Sequence, residues 1–312
     1  MAEKVQLVEV DGNSHGQRVD NFLLSRLKGV PKSRIYRIIR KGEVRVNGKR
    51  VKPEYKLQTE DSVRIPPLRL SQHKAPEPST QLSELLRKAV MYSDEDILVL
   101  NKPAGLAVHR GSGIQISLID ALHSLYPGEY LELVHRLDKG TSGCLLLARN
   151  ARSLKILQDA FRERDTRKEY HALVHGQWPD ELRQVSAGLQ RAPEKHGERK
   201  VYVSESGKDA ATHFHCLAHY YHHSLLQVMP VTGRTHQIRV HAAFAGYPLC
   251  GDEKYSSTKQ RQSLKRLGIT RLCLHAAKLS LKHPGDDRVL QFEAPYDASF
   301  TAAIQILGSL KA

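Results

Sequence analysis

The stretch His-Arg-Leu-Asp-Lys-Gly-Thr-Ser-Gly, residues 135–143, decides how the larger part of this chain is interpreted. Largely apolar runs flank it at residues 131–134 and 145–148, and such runs are typical of buried strands. A polar turn with two glycines between two buried strands is held at a fixed and partly desolvated position. We therefore expect the Asp138 carboxylate to lie where it can do nucleophilic or acid–base work.

The same aspartate also has a purely structural interpretation. Aspartates in polar turns commonly accept a hydrogen bond from a nearby backbone amide and do no chemistry. Taken by itself, residue 138 is compatible with both interpretations, so a second group of polar residues is needed to separate them.

That second group spans Thr232 to His241 and follows a predicted strand at residues 225–228. A helix is predicted to begin near Thr235, which puts Arg234 and His236 at a strand-to-helix junction. From there Arg234 is expected to meet a carboxylate from another strand end. The alternative is an arginine that only caps the helix or contacts solvent.

The charge of the chain points to a polyanionic partner. Its 312 residues carry a formal net charge of +15, and residues 15–70 alone contain 15 Lys and Arg against 5 Asp and Glu. Proteins this basic most often bind nucleic acid. Because the excess is concentrated in one segment, that segment is predicted to contact RNA or DNA.

Within this segment a helix is predicted over about residues 33–41, ending at Gly42. Its apolar face carries isoleucines, and its other face carries the cations Arg34, Arg37, Arg40 and Lys41. Asn47-Gly48 between alternating residues predicts a hairpin. The row of cations is either a nucleic-acid contact or a solvated face, and Glu43 is the single acid nearby, which favours the contact.

Four segments are predicted along the chain. Residues 1–14 form a tail, residues 15–70 the basic unit, residues 71–85 a linker with two prolines, and residues 86–312 a second domain. Many short strands and few helices in that domain predict an α+β fold with a mainly antiparallel sheet.

Several classes of protein are disfavoured. No apolar run approaches the about 20 residues of a membrane span, and no signal peptide is evident, so a cytoplasmic protein with no membrane partner is expected. The four cysteines form no C-x-x-C pair and are expected to be free thiols. Neither a phosphate-binding glycine loop nor a helical pair of histidine ligands occurs, so no cofactor and no metal are expected. A monomer is expected, because no heptads and no spare apolar stripe are present.

Five motifs in order along the chain resemble those of the pseudouridine synthases that modify large-subunit ribosomal RNA. They are Asn101-Lys102-Pro103 with His109, residues 135–138, Lys168-Glu169-Tyr170, residues 232–237, and Leu274-His275-Ala276. Residues 15–75 resemble an S4-type RNA-binding domain. Cys144 is a departure, since Leu or Val is more usual at that position of the family.

The resemblance implies roles for four residues. Asp138 matches the catalytic aspartate, and Tyr170 matches the tyrosine that packs on the target uracil. Arg234 matches the arginine that pairs with the aspartate, and Arg136 matches a residue that faces the RNA beside the extruded base. The implied substrate is 23S ribosomal RNA or a large-subunit precursor, and the implied reaction converts uridine to pseudouridine without a cofactor.

Two questions stay open at the level of sequence. Asp138 is compatible with attack on the sugar carbon or on the base ring. The alternative function is a non-catalytic RNA-binding factor in ribosome assembly, against which the intact Asp138, Tyr170 and Arg234 argue.

Overall fold

The computed structural model describes residues 5–27, 30, 32–68, 77–110, 114–192, 200–286 and 288–310. The chain divides into two compact units, residues 1–77 and 78–312. Among the described residues, no helix is both long and apolar enough to cross a membrane.

The first unit is a small sheet with two helices. The sheet has the strand order β1-β4-β2-β3, with every pairing antiparallel. Its elements are β1 (Gln6–Glu9), a 3₁₀ turn (Gly12–Ser14), α1 (Val19–Arg26), α2 (Lys32–Arg40), β2 (Arg45–Val46), β3 (Lys49–Arg50) and β4 (Ser62–Ile65).

The prediction that residues 1–14 form a tail is wrong for residues 6–10. Gln6–Glu9 pairs along β4, with Gln6 opposite Ile65, and Val10 is buried in the core of the unit. A four-residue strand carries too few alternations to be recognised in a sequence, and its hydrogen-bond partner is more than fifty residues away.

The predicted basic helix and hairpin are both confirmed. Helix α2 buries Ile35, Ile38 and Ile39, and Gly42 ends it with a φ of +71°. Asn47 and Gly48 have φ angles of +49° and +74° and join β2 to β3, as a two-residue hairpin turn requires.

The predicted linker at residues 71–85 overlaps a helix. Helix α3 begins at Thr80, and the Ser79 hydroxyl accepts a hydrogen bond from the Leu82 amide as its cap. Residues 80–85 are therefore helical, and the part of the predicted linker at residues 71–76 lies outside the described residues.

The second unit is built on one large sheet. Its helices are α3 (Thr80–Lys88), α4 (Leu118–Leu125), α5 (Ala151–Glu163), α6 (Gln237–Phe244), α7 (Thr258–Arg266) and α8 (Ala298–Ser309). Its strands are β5 (Val90–Ser93), β6 (Ile97–Lys102), β7 (Glu132–Leu133), β8 (Ser142–Ala148), β9 (Arg167–His175), β10 (Gln184–Ser186), β11 (Leu189–Arg191), β12 (Val201–Val203), β13 (Ala211–Tyr220), β14 (His223–Pro230), β15 (Leu274–Lys282) and β16 (Val289–Glu293).

Ten of these strands form the sheet, and its main path runs β10-β13-β14-β9-β15-β8-β6-β5. Strand β16 pairs with β15, β7 pairs with β8, and β11 and β12 form a separate ladder. Only β15 and β8 run parallel, with His275 opposite Ser142, among the pairings of the described residues. The predicted α+β class with a mainly antiparallel sheet is confirmed.

The centre of the sheet is the most deeply buried part of this unit. Every residue of β8 is buried, and so are Ile97 to Leu100 of β6. The four cysteines are free, as predicted, although Cys216 is only half-buried. A rigid apolar platform therefore lies under the loop at residues 135–141, which enters β8.

Candidate active site

The loop that carries Asp138 is tied down by a buried lysine. Lys102 is fully buried, and its ammonium donates hydrogen bonds to the carbonyls of Pro103, Leu106 and Lys139, at 2.8, 2.8 and 3.3 Å. Burial lowers the pKa of Lys102 to about 7. Three carbonyl acceptors match the three donors of an ammonium group, so one side chain holds the Asn-Lys-Pro turn against the loop that follows Asp138.

His135 holds the other end of the same loop. Its Nε2 accepts a hydrogen bond from the Leu146 amide at 3.0 Å, and its ring stacks on Phe161 with centroids 4.8 Å apart. Burial lowers the pKa of His135 to about 3, so the ring is neutral and Nε2 is free to accept. This histidine has a structural role.

Beneath the loop, the start of β8 is locked to β15. The Ser142 hydroxyl contacts His275 Nδ1 at 2.8 Å and accepts from Arg271 at 2.9 Å, while His275 Nε2 contacts the Ala294 carbonyl at 2.9 Å. A carbonyl can only accept, so Nε2 carries the proton and Nδ1 accepts from Ser142. The Ser142 hydroxyl and both ring nitrogens of His275 therefore have hydrogen-bond partners.

The Asp138 carboxylate forms an ion pair with Arg239 of helix α6. Arg239 Nη1 lies 3.0 Å from Asp138 Oδ2. The same guanidinium donates to both oxygens of the fully buried Asp252, at 2.7 and 2.8 Å. Arg239 is thus fixed by Asp252 from behind and presents its remaining edge to Asp138.

This arrangement corrects one sequence prediction. Arg234 was expected to pair with Asp138, but within the described residues its exposed side chain makes no ion pair. The physical reason is position: Arg234 precedes helix α6, whereas Arg239 lies in its first turn and faces inward. Arg234 still lines the same cavity.

His236 is a third group near the carboxylate. It is the residue before α6, in a left-handed conformation with a φ of +55° that is uncommon outside glycine. Its Nε2 lies 3.7 Å from Asp138 Oδ2, and its Nδ1 is 2.8 Å from the Tyr255 hydroxyl. Burial lowers the pKa of His236 to about 4, although the Asp138 charge opposes that shift, so the ring is neutral at pH 7.

Tyr170 of β9 lies in the wall of the site and is half-buried. Burial is the main cause that raises the pKa of its phenol well above the ordinary value, and the nearby Asp138 charge adds to it. The side chain is therefore a neutral phenol at pH 7 that can stack or donate a hydrogen bond, and it is unsuited to act as a base.

Asp138, Tyr170, His236 and Arg239 line one cavity of about 110 Å³. Pockets that hold drug-sized ligands measure about 300–1,000 Å³, so this cavity is small on that scale. Most of the lining comes from three segments that the fold brings together, namely residues 136–141, Tyr170 and residues 230–239. The lining includes four residues to which the resemblance gave roles, namely Asp138, Tyr170, Arg136 and Arg234.

Two of the contributing residues, Arg239 and Asp252, were given no role from the sequence, and Lys102 was named in a motif without a role of its own. A signal did exist for the first, because a run of buried positions in α6 contains an arginine, and a buried arginine needs a carboxylate. Its partner, Asp252, lies thirteen residues away across a turn, and no periodicity joins the two.

The predicted RNA-binding cations of the first unit lie on α2 and just beyond it. Arg37, Arg40 and Lys41 are exposed, and Arg34 is half-buried. No ion pair involves any of the four among the described residues, so all are available to a polyanion.

Two groups of side chains could hold a metal ion within the described residues, and both lie outside the cavity. One is His175 with His223 and Cys250, and the other is Asp180 with Cys216 and His219. The lining of the cavity itself offers oxygen, nitrogen and aromatic groups that suit a polar, planar occupant.

Comparison with known families agrees with both units. Residues 17–63 match the model of the S4 domain, and residues 96–244 match the model of the RNA pseudouridylate synthases. The second match contains Asp138, Tyr170 and Arg239, and it ends inside the range of the second unit.

Curated relatives match over nearly the whole chain. The chain is 46% identical over 312 residues to "Ribosomal large subunit pseudouridine synthase C" of Pasteurella multocida, covering 99% of this chain and 95% of that protein. It is 47% identical over 308 residues to the protein of the same name from Escherichia coli strain K12, covering 97% of each.

Solved structures agree at the level of the second unit. "Human RNA Pseudouridylate Synthase Domain Containing 4" superposes with a TM-score of 0.60 at 28% identity and covers 73% of this chain and 95% of its own. "Human RNA Pseudouridylate Synthase Domain Containing 1" gives 0.58 at 27% identity, covering 75% and 98%. With these relatives and the matched families, the chain belongs to the RNA pseudouridine synthases.

Proposed function

We propose that this enzyme converts specific uridines of large-subunit ribosomal RNA to pseudouridine and that Asp138 is the reacting carboxylate. The observation that carries the assignment is the Asp138–Arg239 ion pair at 3.0 Å, at the wall of a small cavity that Tyr170 also lines. The ribosomal substrate is proposed because the named relatives act on the large subunit.

The reaction suits a site of this composition. The bond between ribose C1′ and uracil N1 breaks, a bond between C1′ and C5 forms, N1 gains a proton and C5 loses one. The product is an isomer of the substrate, so neither an electron carrier nor a phosphate donor enters the balance. The uridine has to leave its stack to reach the cavity, which costs about a few kcal/mol.

Each residue of the cavity has a proposed part in this reaction. Asp138 attacks the nucleotide, and the ion pair with Arg239 holds its carboxylate in a fixed orientation. Tyr170 stacks against the uracil as a neutral phenol. Arg136 and Arg234, both exposed at the rim, contact the RNA that surrounds the extruded nucleotide. Attack on C1′ and attack on the ring are two versions of this proposal, and both use the same carboxylate.

The first unit is proposed to supply RNA affinity that tolerates sequence. Arg34, Arg37, Arg40 and Lys41 would neutralise phosphates, while the cavity selects the uridine. Ribosomal RNA or a large-subunit precursor would be met in the cytoplasm, and a monomer suffices because all the proposed catalytic residues come from one chain.

The test is Asp138→Asn, which keeps the shape of the side chain and removes its charge. We expect pseudouridine formation to fall by more than about 10³-fold, as the loss of a nucleophile does in other enzymes. The readout is nucleoside chromatography of unmodified large-subunit RNA treated with the purified protein. Asp159→Asn, at a surface ion pair of α5, is the control and should keep full activity.

Two outcomes would contradict the proposal. A near-normal rate for Asp138→Asn would remove the carboxylate from the chemistry. A wild-type protein that binds the RNA but forms no pseudouridine would favour the alternative of a non-catalytic assembly factor. A map of pseudouridines in cells with and without the gene tests the substrate, since only large-subunit positions should change.

A further inference from the structure

The second unit contains a buried group of nitrogen and sulfur side chains outside the active site. His175 ends strand β9, His223 begins strand β14, and the two are directly opposite each other in the ladder. Cys250 follows helix α6, and its amide donates to the Leu173 carbonyl at 2.8 Å. Three separate segments thus bring these side chains together.

The three side chains are close enough to share one ion. One ring nitrogen of each histidine and the Cys250 Sγ all lie within 4.8 Å of one another. His175, His223 and Cys250 are 9%, 8% and 0% exposed.

Two of the ring nitrogens lack hydrogen-bond partners. They are His175 Nε2 and His223 Nδ1, and Thr166 Oγ1 is the other buried side-chain atom in this state among the described residues. An unsatisfied buried polar group costs about 1–3 kcal/mol. Two such nitrogens beside a buried thiol are unusual. Apolar packing alone would not compensate the free energy lost when both nitrogens are buried without a partner.

We propose that His175, His223 and Cys250 bind a divalent zinc-class metal ion. Imidazole nitrogen and cysteine sulfur are ligands that zinc prefers, whereas calcium and magnesium prefer oxygen, and no carboxylate belongs to the group. Zinc bonds of about 2.0–2.3 Å in a tetrahedral site put ligand atoms about 3.4–3.8 Å apart, so binding needs a contraction of roughly 1 Å.

Binding changes one protonation state. The Cys250 thiol loses its proton to solvent and becomes a thiolate, and a water molecule takes the fourth position. This departs from the expectation from sequence that the chain holds no metal, because the spacing of the three residues along the chain, 175, 223 and 250, follows no known metal motif.

The role of the metal would be structural, since none of the three side chains lines the cavity. His175 is five residues along β9 from Tyr170, which is roughly 17 Å at the rise of a strand. Cys250 is two residues from Asp252, the carboxylate that fixes Arg239. Gly251 between them has a φ of +71°, and a Cβ there would lie 1.7 Å from the Arg271 carbonyl oxygen. A metal at Cys250 therefore anchors the turn that positions Asp252.

The test measures metal in the full-length protein. The chain is stripped with chelator, incubated with zinc, freed of excess, and analysed by elemental mass spectrometry. We expect one equivalent of zinc in the wild type and a loss of affinity of at least about 100-fold in Cys250→Ser and His223→Ala, since even the loss of an outer partner costs about 10–100-fold. Cobalt substitution should add a thiolate charge-transfer band that Cys250→Ser abolishes.

Two cysteine variants serve as controls. Cys144→Ser removes a buried thiol outside the group, and Cys216→Ser disrupts the half-exposed group at Asp180 and His219. Both should keep the equivalent of zinc. Circular dichroism checks that each variant is folded.

Substoichiometric zinc in the wild type would overturn the proposal, and this result does not depend on any variant. So would loss of zinc in Cys216→Ser with retention in Cys250→Ser, or a cobalt spectrum without a thiolate band. The proposal is independent of the reaction assigned to Asp138, because its readouts are metal content and spectrum.

Discussion

At the scale of single residues, the site depends on a chain of charges rather than on one aspartate. Arg239 donates hydrogen bonds to Asp252 from Nε and Nη2, along one edge of its guanidinium, and its Nη1 contacts Asp138. The middle member is buried, and a buried guanidinium is tolerated only while its carboxylates compensate the lost hydration. Asp252 therefore influences the Asp138 carboxylate without touching it.

Asp252→Asn tests that influence. Removing one partner of a buried ion pair typically costs about 3–5 kcal/mol, so the second unit should lose stability by that order. The turnover number should fall while the KM for RNA changes little, because Asp252 is fully buried and does not line the cavity. Trp178, the single tryptophan, is buried in this unit and reports its unfolding by fluorescence.

A matched variant separates charge from shape at this position. Arg239→Lys keeps a cation but cannot bridge two carboxylates, so it should resemble Asp252→Asn in turnover. Full turnover in both variants would show that the ion pair with Asp138 has no part in catalysis.

Which arginine contacts the aspartate could not be read from the sequence. Arg234 and Arg239 are five positions apart, and the choice depends on where helix α6 begins. The sequence predicts that the helix begins near Thr235, but it begins at Gln237, after His236 in its left-handed conformation. A backbone conformation of that kind in a histidine leaves no pattern in the residues around it.

At the scale of elements, the parallel pair of β8 and β15 sets the position of the loop at residues 135–141. Hydrophobic runs predicted the central strands, and an Asn-Gly pair predicted the hairpin of the first unit, because both depend on local chemistry. The pairing of β8 with β15 joins residues 133 positions apart, from Ser142 to His275. Local patterns carry no information about such a pairing, so it was not predicted.

Gly143→Ala tests the close approach of these two strands. Gly143 has a φ of +106°, and a Cβ there would lie 2.2 Å from the Ala276 carbonyl oxygen. Since that oxygen belongs to the backbone of a central strand, it cannot move aside cheaply. We expect the second unit to lose more than about 3 kcal/mol of stability, measured by denaturant unfolding with Trp178 fluorescence.

Gly105→Ala is the control for this substitution. Gly105 also has a positive φ, of +85°, but nothing lies within 4 Å of the Cβ position. Its cost should be limited to backbone strain of about 1–2 kcal/mol. Equal losses in the two variants would mean that the contact between strands adds nothing to the strain.

At the scale of the whole molecule, the concentrated positive charge lies in the first unit and the cavity that contains Asp138 lies in the second. Residues 15–70 contain 15 of the Lys and Arg residues and 5 of the Asp and Glu residues, whereas the cavity and its carboxylate belong to the second unit. Phosphate contacts strengthen binding without reading sequence, and we propose that the cavity selects the nucleotide. The affinity for RNA and the rate of the reaction should therefore respond to different substitutions.

Exchanging Arg34, Arg37, Arg40 and Lys41 for Gln in the full chain tests this separation. Each lost phosphate contact lowers the magnitude of the slope of log K against log salt concentration by about 0.7–0.9, so the loss of all four lowers it by about 3–4. Single-turnover rates at saturating enzyme should be unchanged, because none of the four residues lines the cavity. A control exchanges the exposed cations Arg152, Lys155, Lys259 and Lys265 for Gln, with the same loss of net charge. If the two variants lower the slope equally, the first unit contributes only general charge, and an unaltered slope in the first variant removes α2 from the RNA interface.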